Sequence, residues 1–173
     1  MGSWHITKFP GRVNYFSPKY PMRISEDVRD ELVEYCKKFV RYVDNAYFNG
    51  LNIRLYTNIE HVYDFWRENW WSYSHNVVPH GQVYTIDDGG QINIRDYYDG
   101  PMKNPEINAG GLYNPETKTV IILNQDYYGQ TKPSALGIAA DIFEDQFDIL
   151  SVHGASAAID GNCLLYTSDA ADE

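Results

Sequence analysis

One short stretch constrains the fold of this chain more than any other. Leu51-Asn52-Ile53-Arg54-Leu55-Tyr56 alternates strictly between apolar and polar residues, which predicts a half-buried strand. Helical spacing follows almost at once: a broad apolar face predicts a helix over about 59–70, with Asn58 as its N-cap. A strand followed directly by an amphipathic helix predicts a sheet covered by helices, so the expected fold class is α/β.

The other elements predicted from the sequence fit this class. Ser25 is a candidate N-cap for a helix over about 26–43, and Pro133 suits the first turn of another over about 133–150. Hairpins are predicted around two turn signals, one of strands 82–86 and 91–95, the other of strands 111–113 and 118–123. A last strand is expected from about Ser151 to Ile159, and a short one at Trp4–Lys8 within an irregular first segment. The loop between the hairpins covers about 96–106.

Charge and composition exclude several functions. The chain has 14 Lys and Arg against 24 Asp and Glu, a formal charge of −10, which argues against nucleic acid and anionic membranes as partners. No apolar run approaches the length of a membrane span, and no apolar leader is evident. Two cysteines, Cys36 and Cys163, cannot build a disulfide scaffold, so a cytoplasmic location is expected.

The last eleven residues, 163–173, resemble the translation of an adapter used to prepare sequencing libraries. They read Cys-Leu-Leu-Tyr-Thr-Ser-Asp-Ala-Ala-Asp-Glu. The natural sequence is therefore expected to cover 1–162, with 163–173 as a non-native tail. The alternative, a natural acidic tail, stays open.

The segment 151–161, Ser-Val-His-Gly-Ala-Ser-Ala-Ala-Ile-Asp-Gly, carries a resemblance to a known family. With the helix before it, it resembles the stretch that leads into the phosphate-binding loop of HPr kinase/phosphorylase-like proteins, which are P-loop kinases related to phosphoenolpyruvate carboxykinase. In these proteins a helix precedes a strand with a His-Gly or His-Ala-Ser signature, then an Asp-Gly turn and a second strand. The resemblance implies a catalytic role for His153, beside the phosphates or the phosphoacceptor. Residues 1–132 carry no motif of the family.

This resemblance defines the expected organisation. Residues 1–132 are expected to form a mixed α+β accessory domain, and 133–162 to be the truncated start of the nucleotide core. The full-length parent would use ATP and Mg²⁺ to phosphorylate a protein or a small molecule. This chain contains no G-x-x-x-x-G-K-S/T sequence, so the fragment itself is expected to be inactive and to hold no cofactor. A homo-oligomer is left open.

The remaining candidates favour structural roles. A metal site at the loop histidines lacks supporting cysteines or spacing, so no metal is expected, although an unrelated metal enzyme stays a third possibility. Asp87-Asp88 is interpreted as a turn, Cys36 as a buried thiol, and the acids on the last helix as a solvated face. The tryptophans are interpreted mainly as core. Their exposed remainder supports the alternative function, a stand-alone aromatic-rich module that binds carbohydrate or peptide. The histidines are His61, His75 and His80, and the tryptophans are Trp66, Trp70 and Trp71. The acids on the last helix are Asp141, Glu144, Asp145 and Asp148.

Overall fold

The structure is a computed structural model that describes residues 22–98, 108–149, 151, 154–159 and 162–167. The chain divides into two compact units, Met1–Asp141 and Ile142–Glu173. The predicted strand at Trp4–Lys8 and the candidate catalytic residue His153 lie outside the described residues. No helix in the described part of the chain is long and apolar enough to cross a membrane.

The first unit is built on a six-stranded mixed sheet, which confirms the α/β class. Its strands are β1 (Met22–Arg23), β2 (Tyr42–Phe48), β3 (Leu51–Thr57), β4 (Gly81–Ile86), β5 (Gly110–Asn114) and β6 (Thr119–Leu123). They lie in the order β1-β5-β6-β4-β3-β2, with β3, β4 and β6 mutually parallel. β1 is parallel to β5, while β2–β3 and β5–β6 are antiparallel pairs. The strand β2 therefore forms one edge of the sheet.

Helices cover both faces of this sheet. Helix α1 (Glu26–Lys37) packs through Leu32, Val33 and Cys36 on one face, against apolar side chains of β4, β5 and β6. Helix α2 (Glu60–Asn69) connects β3 to β4 and buries Val62 and Trp66 completely. Helix α3 (Tyr128–Phe147) follows β6, and its Ile138 side chain lies where a Cβ at Gly81 would stand. The residue at 81 therefore has to be glycine for α3 to approach β4 this closely.

The predicted helix over 26–43 is wrong in its second half. Helix α1 ends at Lys37, and residues 42–48 form β2 instead. Asn49 and Gly50 have φ values of 46° and 97°, so they form the two-residue connection that turns β2 into β3. Phe39, Val40 and Val43 fit the helical spacing, but pairing with β3 overrides that periodicity.

The predicted hairpin around Asp87–Gly90 is also wrong, because β4 runs parallel to both of its neighbours and no second strand follows it. A short 3₁₀ helix at Ile94–Asp96 occupies that position. The other predicted hairpin is confirmed: Asn114 Oδ1 accepts hydrogen bonds from the backbone N–H and the hydroxyl of Thr117, closing the turn between β5 and β6.

Two predicted helix starts differ from the structure. Ile59 precedes α2 without a side-chain cap, because the Asn58 amide instead bonds the backbone of Asp87 at both its N–H and its carbonyl. Helix α3 begins at Tyr128, five residues before Pro133. The extra turn buries polar side chains, and Thr131 Oγ1 lies 2.9 Å from Thr85 Oγ1, so apolar spacing could not reveal it.

In the second unit, β7 (Gly154–Ile159) pairs with β8 (Asn162–Thr167) in an antiparallel hairpin. The strand predicted to end at Ile159 is confirmed over 154–159. The strand β8 includes residues 163–167 of the adapter-like tail, where no element was predicted.

Candidate recognition site

The loop that joins α2 to β4 carries the most exposed large apolar side chains among the described residues of the first unit, called the sheet unit below. Trp71 is 81% exposed and Val78 is 82% exposed. A tryptophan with most of its surface in water is unusual, since this residue is well buried on average. The loop, residues 70–80, is called the recognition loop below.

Arg54 on β3 anchors the recognition loop from beneath. Its Nη2 donates to the carbonyl oxygens of His75 and Val77, each at 3.0 Å, and its Nε donates to Asn45 Oδ1 at 2.6 Å. The planar guanidinium can make three such bonds in fixed directions, which an ammonium group cannot do. Arg54 therefore holds two points of the loop and one point of β2 in a single geometry.

Two asparagines complete the anchor. Asn45 Nδ2 donates to the carbonyl of Ser74 at 2.7 Å, and Asn52 Nδ2 donates to that of Val77 at 3.2 Å. The backbone N–H of Asn52 donates to His80 Nδ1 at 2.9 Å, while the N–H of His80 donates to the Asn52 carbonyl. Asn45 and Asn52 are fully buried, so these bonds satisfy N–H groups that would be costly to bury alone, whereas Asn52 Oδ1 has no partner among the described residues.

The start of the loop extends the sheet by one short segment. Ser72 forms an antiparallel bridge with Ala46, Tyr47 N donates to the Trp71 carbonyl, and Tyr73 N donates to that of Asn45. In this register Trp71 lies opposite Tyr47 and Tyr73 opposite Asn45, so their side chains share one side of the ladder. The Tyr47 and Tyr73 rings stack with centroids 5.6 Å apart. We call Trp71, Tyr73 and Tyr47 the aromatic platform.

An acid–histidine pair lies beside the platform. Asp44 on β2 is almost buried, and its Oδ1 lies 3.4 Å from Nε2 of His75, a side chain 60% exposed. The pair ties the middle of the recognition loop to the edge strand. Since His75 is exposed, this contact is expected to contribute little to stability compared with the Arg54 anchor.

The carboxyl ends of the parallel strands form a second polar region, organised around Asp88. The Asp88 carboxylate accepts from the backbone N–H groups of Gly90, Gln91 and Ile92 at 2.8–3.0 Å, and from the Tyr35 hydroxyl at 2.8 Å. Gly89 and Gly90 have φ values of 76° and 82°, which let the backbone curve around the carboxylate. Asp88 is thus a structural acceptor, while Asp87 accepts separately from Gly89 N, in agreement with the interpretation as a turn.

Burial controls the proton affinity of several groups near α1. Burial, together with the hydrogen bond to Asp88, raises the pKa of Tyr35 to about 12. Burial raises the pKa of the Cys36 thiol to about 12 as well, with a smaller effect of the Asp88 charge. Cys36 therefore favours the neutral thiol near pH 7, and its complete burial confirms the prediction of a buried thiol.

A cavity of about 360 Å³ opens beside α2, lined by His61, Asp64, Phe65, Arg67 and Glu68. His61 Nε2 lies 2.5 Å from the Asp126 carbonyl oxygen, which can only accept, so Nε2 is the donor. The lining groups lie mostly on the exposed side of one helix. Within the described ranges, no three His, Cys, Asp or Glu side chains come close enough to hold a metal ion.

The structure separates the three histidines singled out from the sequence. His61 bonds the segment before α3, His75 contacts Asp44, and His80 closes the recognition loop. Trp66 is buried and Trp70 half-buried, as predicted, whereas Trp71 is exposed. Of the helix acids, Glu144, Asp145 and Asp148 are exposed as predicted.

Asp141 differs from the expected solvated face. Its Oδ2 accepts from Lys118 Nζ at 2.8 Å and from the Tyr113 hydroxyl, and Lys118 is itself buried. The ion pair joins the β5–β6 turn to α3, a link that helical periodicity cannot predict.

Comparisons with known proteins give no family to which the chain can be assigned. No family model matches the sequence, and no curated protein matches it.

Proposed function

We propose that residues 1–162 are the N-terminal part of an HPr-kinase-like, ATP-dependent phosphotransferase. The observation that carries the proposal is the order of elements at the end of the chain. Within the natural part of the chain, helix α3 is followed by β7 and the Asp160-Gly161 dipeptide, the order in which the resembling proteins approach the strand before their phosphate loop. His153 immediately precedes β7, at the position of the family's histidine.

The residues of this chain do not fit ATP and Mg²⁺. A P-loop supplies backbone amides, a lysine and a hydroxyl to the nucleotide and metal, and no G-x-x-x-x-G-K-S/T occurs in the sequence. Under this proposal the parent binds the nucleotide through residues beyond 162, in the cytoplasm. The sheet unit contributes recognition of the phosphoacceptor, a protein or a small molecule.

The direct test is to recover the natural coding sequence beyond codon 162. A G-x-x-x-x-G-K-S/T four to eight residues downstream is expected, and its absence from the continued reading frame overturns the proposal. In the restored parent, His153→Ala should lower turnover roughly 10²–10⁴-fold if the imidazole transfers a proton. ATP affinity should hardly change, because the loop amides and lysine dominate nucleotide binding.

Isothermal titration of the 173-residue chain gives an independent check. No saturable, Mg²⁺-dependent ATP binding is expected at micromolar concentrations, since the phosphate loop is missing from the sequence. Tight ATP binding by this chain would contradict the proposal that the parent binds the nucleotide through residues beyond 162.

The second candidate function is a stand-alone binding module for carbohydrate or peptide. The specific observation in its favour is that Trp71 stands 81% exposed on a loop fixed by Arg54, Asn45 and Asn52. A loop already held in one conformation loses little entropy on binding, which favours recognition. A stop codon directly after codon 162 in the natural gene supports the module over the kinase.

A further inference from the structure

At the outer edge of the aromatic platform, the backbone N–H and C=O of Ser72 make no hydrogen bond to any other described residue. Trp71 O and Tyr73 N bond β2, so in this antiparallel register the N–H and C=O of Ser72 point away from β2. An exposed edge with free backbone groups is a template for another strand. Here the edge is flanked by the rings of Trp71 and Tyr73 rather than by the charged residues that usually protect edges.

The charge distribution favours a second copy of this chain as the partner. The chain carries a formal charge of −10, yet residues 70–86 contain no Asp, Glu, Lys or Arg. Two copies of an acidic protein repel each other over most of their surface, and approach most easily where both surfaces lack charge. Trp71, Ser72 and Tyr73 belong to this uncharged stretch, and the side chain of Asp44, which contacts His75, is almost buried.

The register is self-complementary. If Ser72 pairs antiparallel with Ser72 of the partner subunit across a two-fold axis, residue numbers in opposed positions sum to 144. Trp71 then lies opposite Tyr73 of the partner subunit, and the reverse pair forms by symmetry. Aromatic cross-strand pairs of this kind stabilise antiparallel strands, and an isologous contact closes at two copies.

We propose that the aromatic platform is the interface of a homodimer, in which the 71–73 segments of two copies pair antiparallel about a two-fold axis at Ser72. The anchor of the recognition loop prepares this surface, because Arg54 and Asn45 fix the segment before association. The inference does not depend on the phosphotransferase proposal, since the whole surface lies within the sheet unit.

Sedimentation velocity on the full 173-residue chain tests the proposal. A species of twice 19.9 kDa is expected to grow with concentration. Trp71→Ala should weaken dimerisation at least about tenfold, because aromatic residues at the centre of an interface carry much of its binding energy. Ser72→Pro removes the outward N–H without touching a bond to β2, and should weaken it as well.

Leu136→Ala is the matched control. Leu136 is a 45% exposed apolar side chain of α3 that belongs neither to the platform nor to the 71–73 segment, so its truncation should leave the dimer unchanged. Thermal melting of each variant separates lost association from lost folding, and either platform variant that remains folded suffices for the test. A wild-type chain that stays monomeric up to about 100 µM overturns the proposal. A dimer that survives both platform substitutions overturns it too, since another surface must then hold the copies together.

Discussion

The centre of the sheet and its β2 edge are held by different forces. β6 is buried along its whole length, and β4 contributes Val83, Tyr84 and Ile86 to the core, so apolar burial dominates there. At the edge, β2 and β3 also bury apolar side chains such as Phe48 and Ile53, but they bury Asn45 and Asn52 as well, whose amide groups bond carbonyl groups of a loop. Apolar burial therefore determines whether the unit folds, while the polar bonds at the edge determine where one loop lies.

The largest loss of stability is expected at the apolar face. Trp66, on α2, is completely buried. Its ring centroid lies 6.3 Å from that of Phe48 and 6.2 Å from that of Trp70. Trp66→Ala should lower the free energy of unfolding by about 3–5 kcal/mol, measured by urea titration, because it leaves a large cavity. A loss below about 1 kcal/mol would show that α2 does not anchor this face.

A smaller, local effect is expected at the anchor. Arg54→Ala leaves the carbonyls of His75 and Val77 and the Asn45 amide oxygen without these bonds, which costs about 1–3 kcal/mol. Hydrogen exchange should accelerate across the recognition loop more than in β4 or β6. Arg54→Lys is the control, because it keeps the positive charge but loses the planar guanidinium donors. It should restore only part of the protection from hydrogen exchange. Equal acceleration of hydrogen exchange in the loop and in all strands would contradict a local role of Arg54.

Raising the pH should lower the stability of the folded protein by a smaller amount, through Tyr35 on α1. The pKa of Tyr35 is raised from 10.0 to about 12 in the folded protein, so the folded state favours the neutral phenol. Its contribution to stability is complete below pH 10 and is lost as the pH rises toward 12. Tyr35→Phe should flatten this part of the stability–pH curve, and absorbance titration at high pH should lose one late-titrating tyrosine. An unchanged curve would assign the effect to other tyrosines.

The smallest effect on the stability of a single copy is expected at the platform. Trp71→Ala, measured on dilute monomer, should change the free energy of unfolding by less than about 0.5 kcal/mol, because the side chain is already in water. Compared with Trp66→Ala, it separates a tryptophan that holds the fold from one that faces a partner. A loss comparable to that of Trp66→Ala would place Trp71 among the core residues.

Local patterns predicted most of the architecture but little of the recognition site. The alternation of 51–56, the apolar face of α2 and the turn after Asn114 predict elements that the structure confirms. The strand β2 was missed although Asn49-Gly50 is a strong hairpin signal. Phe39 and Val43 happen to continue the helical spacing of α1, and that coincidence hid the strand.

The anchor itself depends on contacts between distant residues. Arg54 and Asn52 alternate with apolar neighbours, so the sequence shows only that they lie on the more polar side of β3. Their partners in the loop include the carbonyl oxygens of His75 and Val77, which carry no sequence signal. Polar residues at alternate positions of a strand are the hint in the sequence that such an anchor exists.

The pairing of β1 has a consequence for the order in which the sheet forms. The β2–β3 hairpin closes across Asn49 and Gly50, whereas Met22 pairs with Leu112 and the Ile24 carbonyl accepts from Asn114. Contacts that close a loop of ninety residues form more slowly than local ones, because more chain entropy is lost before any contact forms. During synthesis, β1 and α1 leave the ribosome long before β5 exists, and the apolar face of α1 must wait for the strands that cover it. Folding of the unit should therefore be limited by the arrival and docking of the β5–β6 hairpin, and a chain that stops before it should leave Leu32 and Cys36 without their core.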